Sequence, residues 1–169
     1  MSSTEYSQFP RSGFVRRFAS WVYDLLLAIA VYMVAGAFGF GLFALAANTG
    51  LVIVNDQQHL IDVQQNSLLY SALIYTWNLA WVAYFFVYFW ARSGQTLGMK
   101  AWRLRLQNQD GSLISKTTGL KRLLPTAFGL GNLLVIFDRK NKLSLQDRLT
   151  STEVVVLSLE ANKGKHWVN

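Results

Sequence analysis

Two long apolar stretches without a single charged residue dominate the chain. They run from Leu25 to Ala47 and from Leu68 to Trp90, and each contains 23 residues. At 1.5 Å per residue a helix of that length extends about 34 Å. The hydrocarbon core of a bilayer is roughly 30 Å thick. The pattern therefore predicts transmembrane helices over residues 19–47 and 68–90.

A third apolar stretch is shorter and less regular. It runs from Leu123 to Phe137, only 15 residues, and it contains Pro125 and two glycines, Gly129 and Gly131. Basic residues flank both of its ends, so a full crossing would carry one basic cluster to the outer side, against the positive-inside tendency. Length and charge favour a short re-entrant or interfacial helix over about residues 120–137, with a full third span as the alternative.

Two short segments have the composition of β-strands. In "WRLRLQ" (Trp102–Gln107) apolar and polar residues alternate, and the turn-forming pair Asp110-Gly111 follows. The segment "EVVVL" (Glu153–Leu157) is rich in β-branched residues, which favour strands. We expect the two to pair in a small cytoplasmic β element. The predicted fold class is an all-α membrane protein with two transmembrane helices, a short re-entrant or third helix, and this β element.

The distribution of charge predicts how the chain is oriented. Sixteen Lys and Arg against nine Asp and Glu give a net charge of +7, and the basic residues lie at the edges of the apolar stretches. The loop over residues 48–66 contains Asp56 and Asp62 but no Lys or Arg. Because basic segments stay in the cytoplasm, we expect this loop outside and both termini inside. Residues 1–13 are predicted to be a mobile cytoplasmic tail and residues 158–169 a polar tail.

Composition also limits the classes of function. Charged residues make up 15% of the chain, well below the roughly 25% that is usual in soluble domains. The partner predicted from this is the lipid bilayer, and not a nucleic acid. The chain contains no cysteine, and its two histidines, His59 and His166, are isolated in the sequence. No pattern of catalytic residues stands out, so we expect no enzyme activity, no metal and no cofactor.

Ionisable and polar residues inside the apolar stretches are the candidates for function. Arg17 and Asp24 are seven residues apart, so both project from one face of a helix and each is placed to meet a polar group of another element. The alternative is that Arg17 binds lipid phosphate while Asp24 reaches the membrane surface. Asn78 in the second span needs a partner within the bundle.

The segment "GQTLGMK" (residues 94–100) is a candidate contact for an anion or a lipid phosphate. Its glycines permit tight turns, and its backbone amides could bind an anion next to Lys100. Gln95 and Thr96 lie in the same segment. The alternative interpretation is a purely structural loop.

Three ordered blocks of the sequence resemble the RDD family of bacterial membrane proteins. They are "RRFASWVYDLLL", "SGQTLGMKAWRLRLQNQDGSLIS" and "FDRKNKLSLQDRLTSTEVVV", and together they extend from Phe14 to Val156. The resemblance implies a bacterial inner-membrane protein with residues 14–157 as an RDD-like domain. It identifies the family's arginine as Arg17 and its first aspartate as Asp24. The second aspartate is Asp147, with Asp138 as the alternative.

From these observations we expect a polar network at the cytoplasmic end of the membrane helices. Its predicted members are Arg17, Asp24, Asn78, Asp138, Asp147 and Arg148. A cation near the third apolar stretch, Arg122 or Arg148, is the expected counter-charge of Asp24.

Two functions fit the sequence. The first is a component of an oligomeric transporter for ions or small solutes, because two and a half spans cannot enclose a path for a solute. The second is a non-catalytic adaptor or assembly subunit that holds other membrane proteins. Both imply self-association or another membrane protein as partner.

Overall fold

The computed structural model of the chain is mostly helical and describes residues 2–54, 59–127 and 129–163. Two long helices, α2 (Phe14–Asn48) and α4 (Leu68–Ser93), are long and apolar enough to cross a membrane. Their first and last residues lie close to those predicted for the two spans, although α2 begins five residues earlier than predicted. The other helices are α1 (Ser3–Tyr6), α3 (Leu60–Asn66), α5 (Leu97–Ala101), α6 (Lys116–Ala127), α7 (Leu134–Phe137), α8 (Leu145–Thr150) and α9 (Leu159–Lys163).

The third apolar stretch forms a bent pair of helices. Helix α6 precedes the bend, and a 3-10 turn (Leu130–Leu133) followed by α7 comes after it. The two arms, residues 116–126 and 130–137, differ in direction by 82°. The geometry of the two described arms is that of a broken span or a re-entrant segment.

The predicted β element is present as a two-stranded sheet. Strand β1 (Leu104–Asn108) pairs antiparallel with β2 (Thr152–Val156), and Leu106 lies opposite Val154 in the register. Leu104 and Leu106 enter a core that also contains Trp90 from the end of α4 and Met99 from α5. The sheet thus joins a segment that precedes the bent helix pair in the sequence to a segment that follows it.

The N-terminal segment, for which the sequence predicts a mobile tail, makes several contacts in the structure. A capping box stabilises the start of helix α1. Tyr6 is only 4% exposed because it packs against Val155 and Leu157. Arg11 then forms an isolated bridge with Val155 and an ion pair with Glu153 at 2.7 Å. An aromatic anchor and a charge pair thus fix residues that look merely polar in the sequence. Near the other end, α9 lies within the predicted polar tail.

The chain divides into two compact units. One consists of Met1–Leu26 with Phe85–Asn169, and the other of Leu27–Tyr84. In the second unit, Gly39 packs against the Trp77 indole, which donates a hydrogen bond to the Ala35 carbonyl at 3.0 Å. Small residues here allow close helix contact, as is common in lipid. Large apolar side chains on the other faces, such as Met33 and Phe38, are exposed and suited to contact lipid tails.

Candidate functional site

Asp147 is the centre of a buried charge cluster in the first unit. It is the third residue of α8, where Ser144 and Asp147 form a reciprocal capping box: the Asp147 amide donates to the Ser144 hydroxyl, and the Ser144 amide donates to the carboxylate. This local motif fixes the carboxylate at the start of the helix. Asp147 is 1% exposed, so its charge needs partners inside the protein.

Two arginines supply those partners. Arg17 of α2 donates to Asp147 Oδ2 at 2.6 Å, and Arg122 of α6 donates to Asp147 Oδ1 at 2.8 Å. Both guanidinium groups are also held by uncharged acceptors. Arg17 donates to the carbonyls of Ser12 and Lys142, and Arg122 donates to the hydroxyls of Thr150 and Thr152. We call Arg17, Arg122 and Asp147 the Asp147 cluster.

The electrostatics of the Asp147 cluster are those of a closed ion-pair network. Burial alone would raise the pKa of Asp147, but the positive charges and hydrogen bonds of Arg17 and Arg122 outweigh that effect and lower it. The carboxylate is therefore ionised at neutral pH. With two cations and one anion the cluster carries a formal charge of +1, and its carboxylate oxygens are occupied by protein donors. Its geometry suits a structural anchor that joins α2, α6 and α8.

Asp24 occupies a different and uncharged environment. Its Oδ2 accepts a hydrogen bond from the Thr96 hydroxyl at 2.6 Å, and its Oδ1 accepts one from the Gly98 amide at 3.0 Å. Ser20, one turn earlier in α2, contributes a further hydrogen bond. Gly98 is needed for this approach, because a Cβ there would lie 2.5 Å from the carboxylate oxygen. We call Asp24 with these three partners the Asp24 site.

The prediction that Arg122 or Arg148 is the counter-charge of Asp24 is wrong. Arg122 pairs with Asp147, and Arg148 pairs with Asp138 at 2.7 Å in a more open position, where Arg148 is 52% exposed. Within the described residues, Asp24 forms no ion pair although it is only 7% exposed. The physical reason is that α5 begins next to Asp24 and provides a hydroxyl and a backbone amide, which satisfy the carboxylate without a cation.

The structure separates the remaining candidates. Thr96 belongs to the Asp24 site, while the Gln95 amide donates to the Leu104 carbonyl and to Asn162. Asn78 belongs to the other unit, where it lies against Gly36 and its Oδ1 has no hydrogen-bond partner among the described residues. His59 precedes α3, and His166 lies outside the described residues.

Sequence reasoning missed part of both sites. The sequence predicts Arg122 only as a partner of Asp24, and it predicts that the backbone amides of residues 94–100 bind an external anion and not Asp24. A local signal did exist for Asp147, because Ser144 three residues before an acid marks a helix start. No comparable signal marks the pairing of Arg122 with Asp147, since it depends on how α6 and α8 pack together.

Comparison with known proteins identifies a family. No curated protein and no solved structure matches the chain. The model of the RDD family matches residues 11–151, which include both aspartate sites and strand β1 and end just before β2. With its two apolar helices, the chain is an integral membrane protein, and it belongs to the RDD family.

Proposed function

We propose that this protein is a component of an oligomeric transporter in the bacterial inner membrane, and that Asp24 binds the transported proton or cation. The observation that carries the proposal is a buried carboxylate in a membrane helix with no cationic partner among the described residues. Ionisable side chains within spans are costly and commonly mark pathways for ions or protons. Asp24 has the chemistry for that role, because its partners among the described residues are neutral donors.

The contrast with Asp147 supports the assignment. Both carboxylates are almost fully buried. Asp147 is neutralised by two arginines, so an incoming cation would have to compete with fixed charges. Asp24 has one negative charge to offer, and protonation or a bound cation would neutralise it. The Asp147 cluster then acts as the fixed anchor, and the Asp24 site binds and releases the proton or cation.

Several copies are required for a transport path. Two spans and one bent pair supply too few helices to surround a solute, so the proposal includes self-association. The proposal also places both termini in the cytoplasm. Its support is the positive-inside distribution of Lys and Arg, together with the pairing of β1 with β2, which holds the segments before and after the bent pair on one side.

The first prediction concerns transport through Asp24. The purified protein is reconstituted in liposomes that contain a pH-sensitive dye, and sodium or potassium gradients are imposed. We expect proton flux from the wild type and a loss to the level of protein-free liposomes in Asp24→Asn, because the amide keeps the shape but cannot carry the exchangeable charge. Asp62→Asn, an identical change at an exposed residue of α3, is the matched control and keeps wild-type flux.

Two outcomes would contradict this function. Wild-type flux in Asp24→Asn would remove Asp24 from any ion path. Absence of flux from the wild type, combined with loss of associated membrane proteins in Asp24→Asn, would instead favour the adaptor function. The mass of the particle in detergent, measured for each variant, separates a loss of transport from a loss of assembly.

A further inference from the structure

Arg105 is a buried arginine that the protein does not neutralise. It lies in β1 and is 7% exposed. Its guanidinium carbon lies 3.3 Å from the centroid of the Tyr6 ring, and one nitrogen donates to the Gly111 carbonyl at 3.3 Å. Its Nε has no hydrogen-bond partner, and the described part of the chain provides no carboxylate within ion-pair distance. Burial lowers the pKa of this guanidinium, although contact with Tyr6 opposes the effect.

Arg105 lines a cavity of about 300 Å³ together with a second arginine. Arg92, at the end of α4, is exposed and has an aromatic neighbour, Tyr88, but no ion pair within the described residues. The cavity is lined by no Asp or Glu among the described residues. The side-chain donors of Ser93, Gln95 and Ser112, which line the cavity, already form hydrogen bonds within the protein. The charged donors that the described lining offers to a ligand are those of the two guanidinium groups.

The N-terminal segment gives this cavity a fixed wall. Ser3 and Tyr6 of α1 line it, and Gly111 lies so close to α1 that a Cβ would overlap the Ser3 carbonyl. Gly111 also has a φ of 81°, a conformation that favours glycine. The cavity is therefore built by packed elements of one compact unit.

We propose that this cavity binds a phosphate group, carried either by a lipid headgroup or by a soluble phosphate. Two guanidinium groups without a carboxylate supply the charge and the paired donors that phosphate oxygens accept. Arg92 lies where a membrane helix ends, at the level of lipid headgroups. Liquid water occupies about 30 Å³ per molecule, so a cavity of this volume has room for a phosphate with a small alcohol attached. The negative charge of the ligand would pair with the positive charge of Arg105.

The second prediction tests the phosphate site on the purified full-length protein. Binding of inorganic phosphate to delipidated protein is measured by calorimetry at constant ionic strength. Retention of phosphatidylglycerol against phosphatidylcholine is measured by native mass spectrometry. We expect Arg105→Gln and Arg92→Gln each to weaken binding about tenfold or more, the effect of losing a charge-assisted hydrogen bond. Arg103→Gln removes the same charge beside β1 without touching the cavity, and it keeps wild-type binding.

The two measurements also identify the source of the phosphate. Binding of inorganic phosphate that depends on Arg105 indicates a soluble ligand, while selective retention of phosphatidylglycerol that depends on Arg92 indicates a lipid. No binding in either measurement, or equal losses in Arg103→Gln and the cavity variants, would overturn the proposal. Arg92 is exposed, so its variant decides the matter if Arg105→Gln does not fold.

Discussion

Asp147 joins two arginines that are distant from it in the sequence, Arg17 by 130 residues and Arg122 by 25. All three side chains are almost completely removed from solvent. Replacing a whole buried ion-pair cluster by apolar residues often changes the stability of a protein little. Removing one partner is strongly destabilising, because the other charge is left buried and unpaired. The structural importance of this residue is therefore best measured by truncating it alone.

The third prediction compares two aspartates of similar sequence context. Asp147→Ala is expected to lower the free energy of unfolding by about 3–5 kcal/mol, because both Arg17 and Arg122 lose their carboxylate. Asp138→Ala removes the partner of the solvent-exposed Arg148 and should have little measurable effect. Thermal denaturation in detergent gives both values. Equal effects of the two substitutions would mean that the Asp147 cluster does not anchor α2 to α6 and α8.

Asp24 and Asp147 also indicate how far the sequence alone can specify such a site. The pattern around Arg17 and Asp24 predicts correctly that both face other elements. It does not reveal that their partners differ, since Asp24 meets the start of α5 and Arg17 meets α8. An isolated sequence contains the charges but not the packing that brings opposite charges together. The Ser144–Asp147 capping box is the exception, because it is local.

At the scale of elements, the β-sheet is more deeply buried than its sequence predicts. Alternation in "WRLRLQ" is typical of a strand with one face in water. In the structure Arg105 and Gln107, the polar positions of β1, are buried as well as Leu104 and Leu106. The N-terminal segment covers that second face, and Gln107 donates to the Tyr6 carbonyl. The alternation in the sequence identifies the strand. It gives no sign that a segment 101 residues earlier covers the polar face of that strand.

The fourth prediction tests the sheet as part of the core. Leu104→Asp should lower the free energy of unfolding by at least about 3 kcal/mol, because loss of a buried Leu costs roughly 2–5 kcal/mol and the new carboxyl has no partner. Gln109→Asp, just beyond β1 and exposed, is the control and should leave the melting temperature nearly unchanged. Small and equal shifts would indicate that residues 104–108 form an unpaired linker.

For the whole molecule, the pairing of β1 with β2 restricts the path of the chain through the membrane. Strand β1 precedes the bent helix pair and β2 follows it. Strands joined by backbone hydrogen bonds cannot lie on opposite sides of a bilayer, so we expect residues 116–137 to return to the side from which they start. The bend of 82° between the two arms is compatible with such a return. The sheet thus favours the re-entrant alternative over a third span.

The fifth prediction tests this path with single cysteines, which are unique because the chain has none of its own. Gln109→Cys and Ser158→Cys lie on either side of the bent pair, and both positions are exposed. We expect a membrane-impermeant maleimide to label neither in intact cells and both after the membrane is opened. Gln65→Cys, between the two long helices, should be labelled in intact cells. Labelling of Ser158→Cys but not Gln109→Cys from outside would mean that residues 116–137 cross the membrane, and it would contradict the path inferred from the sheet.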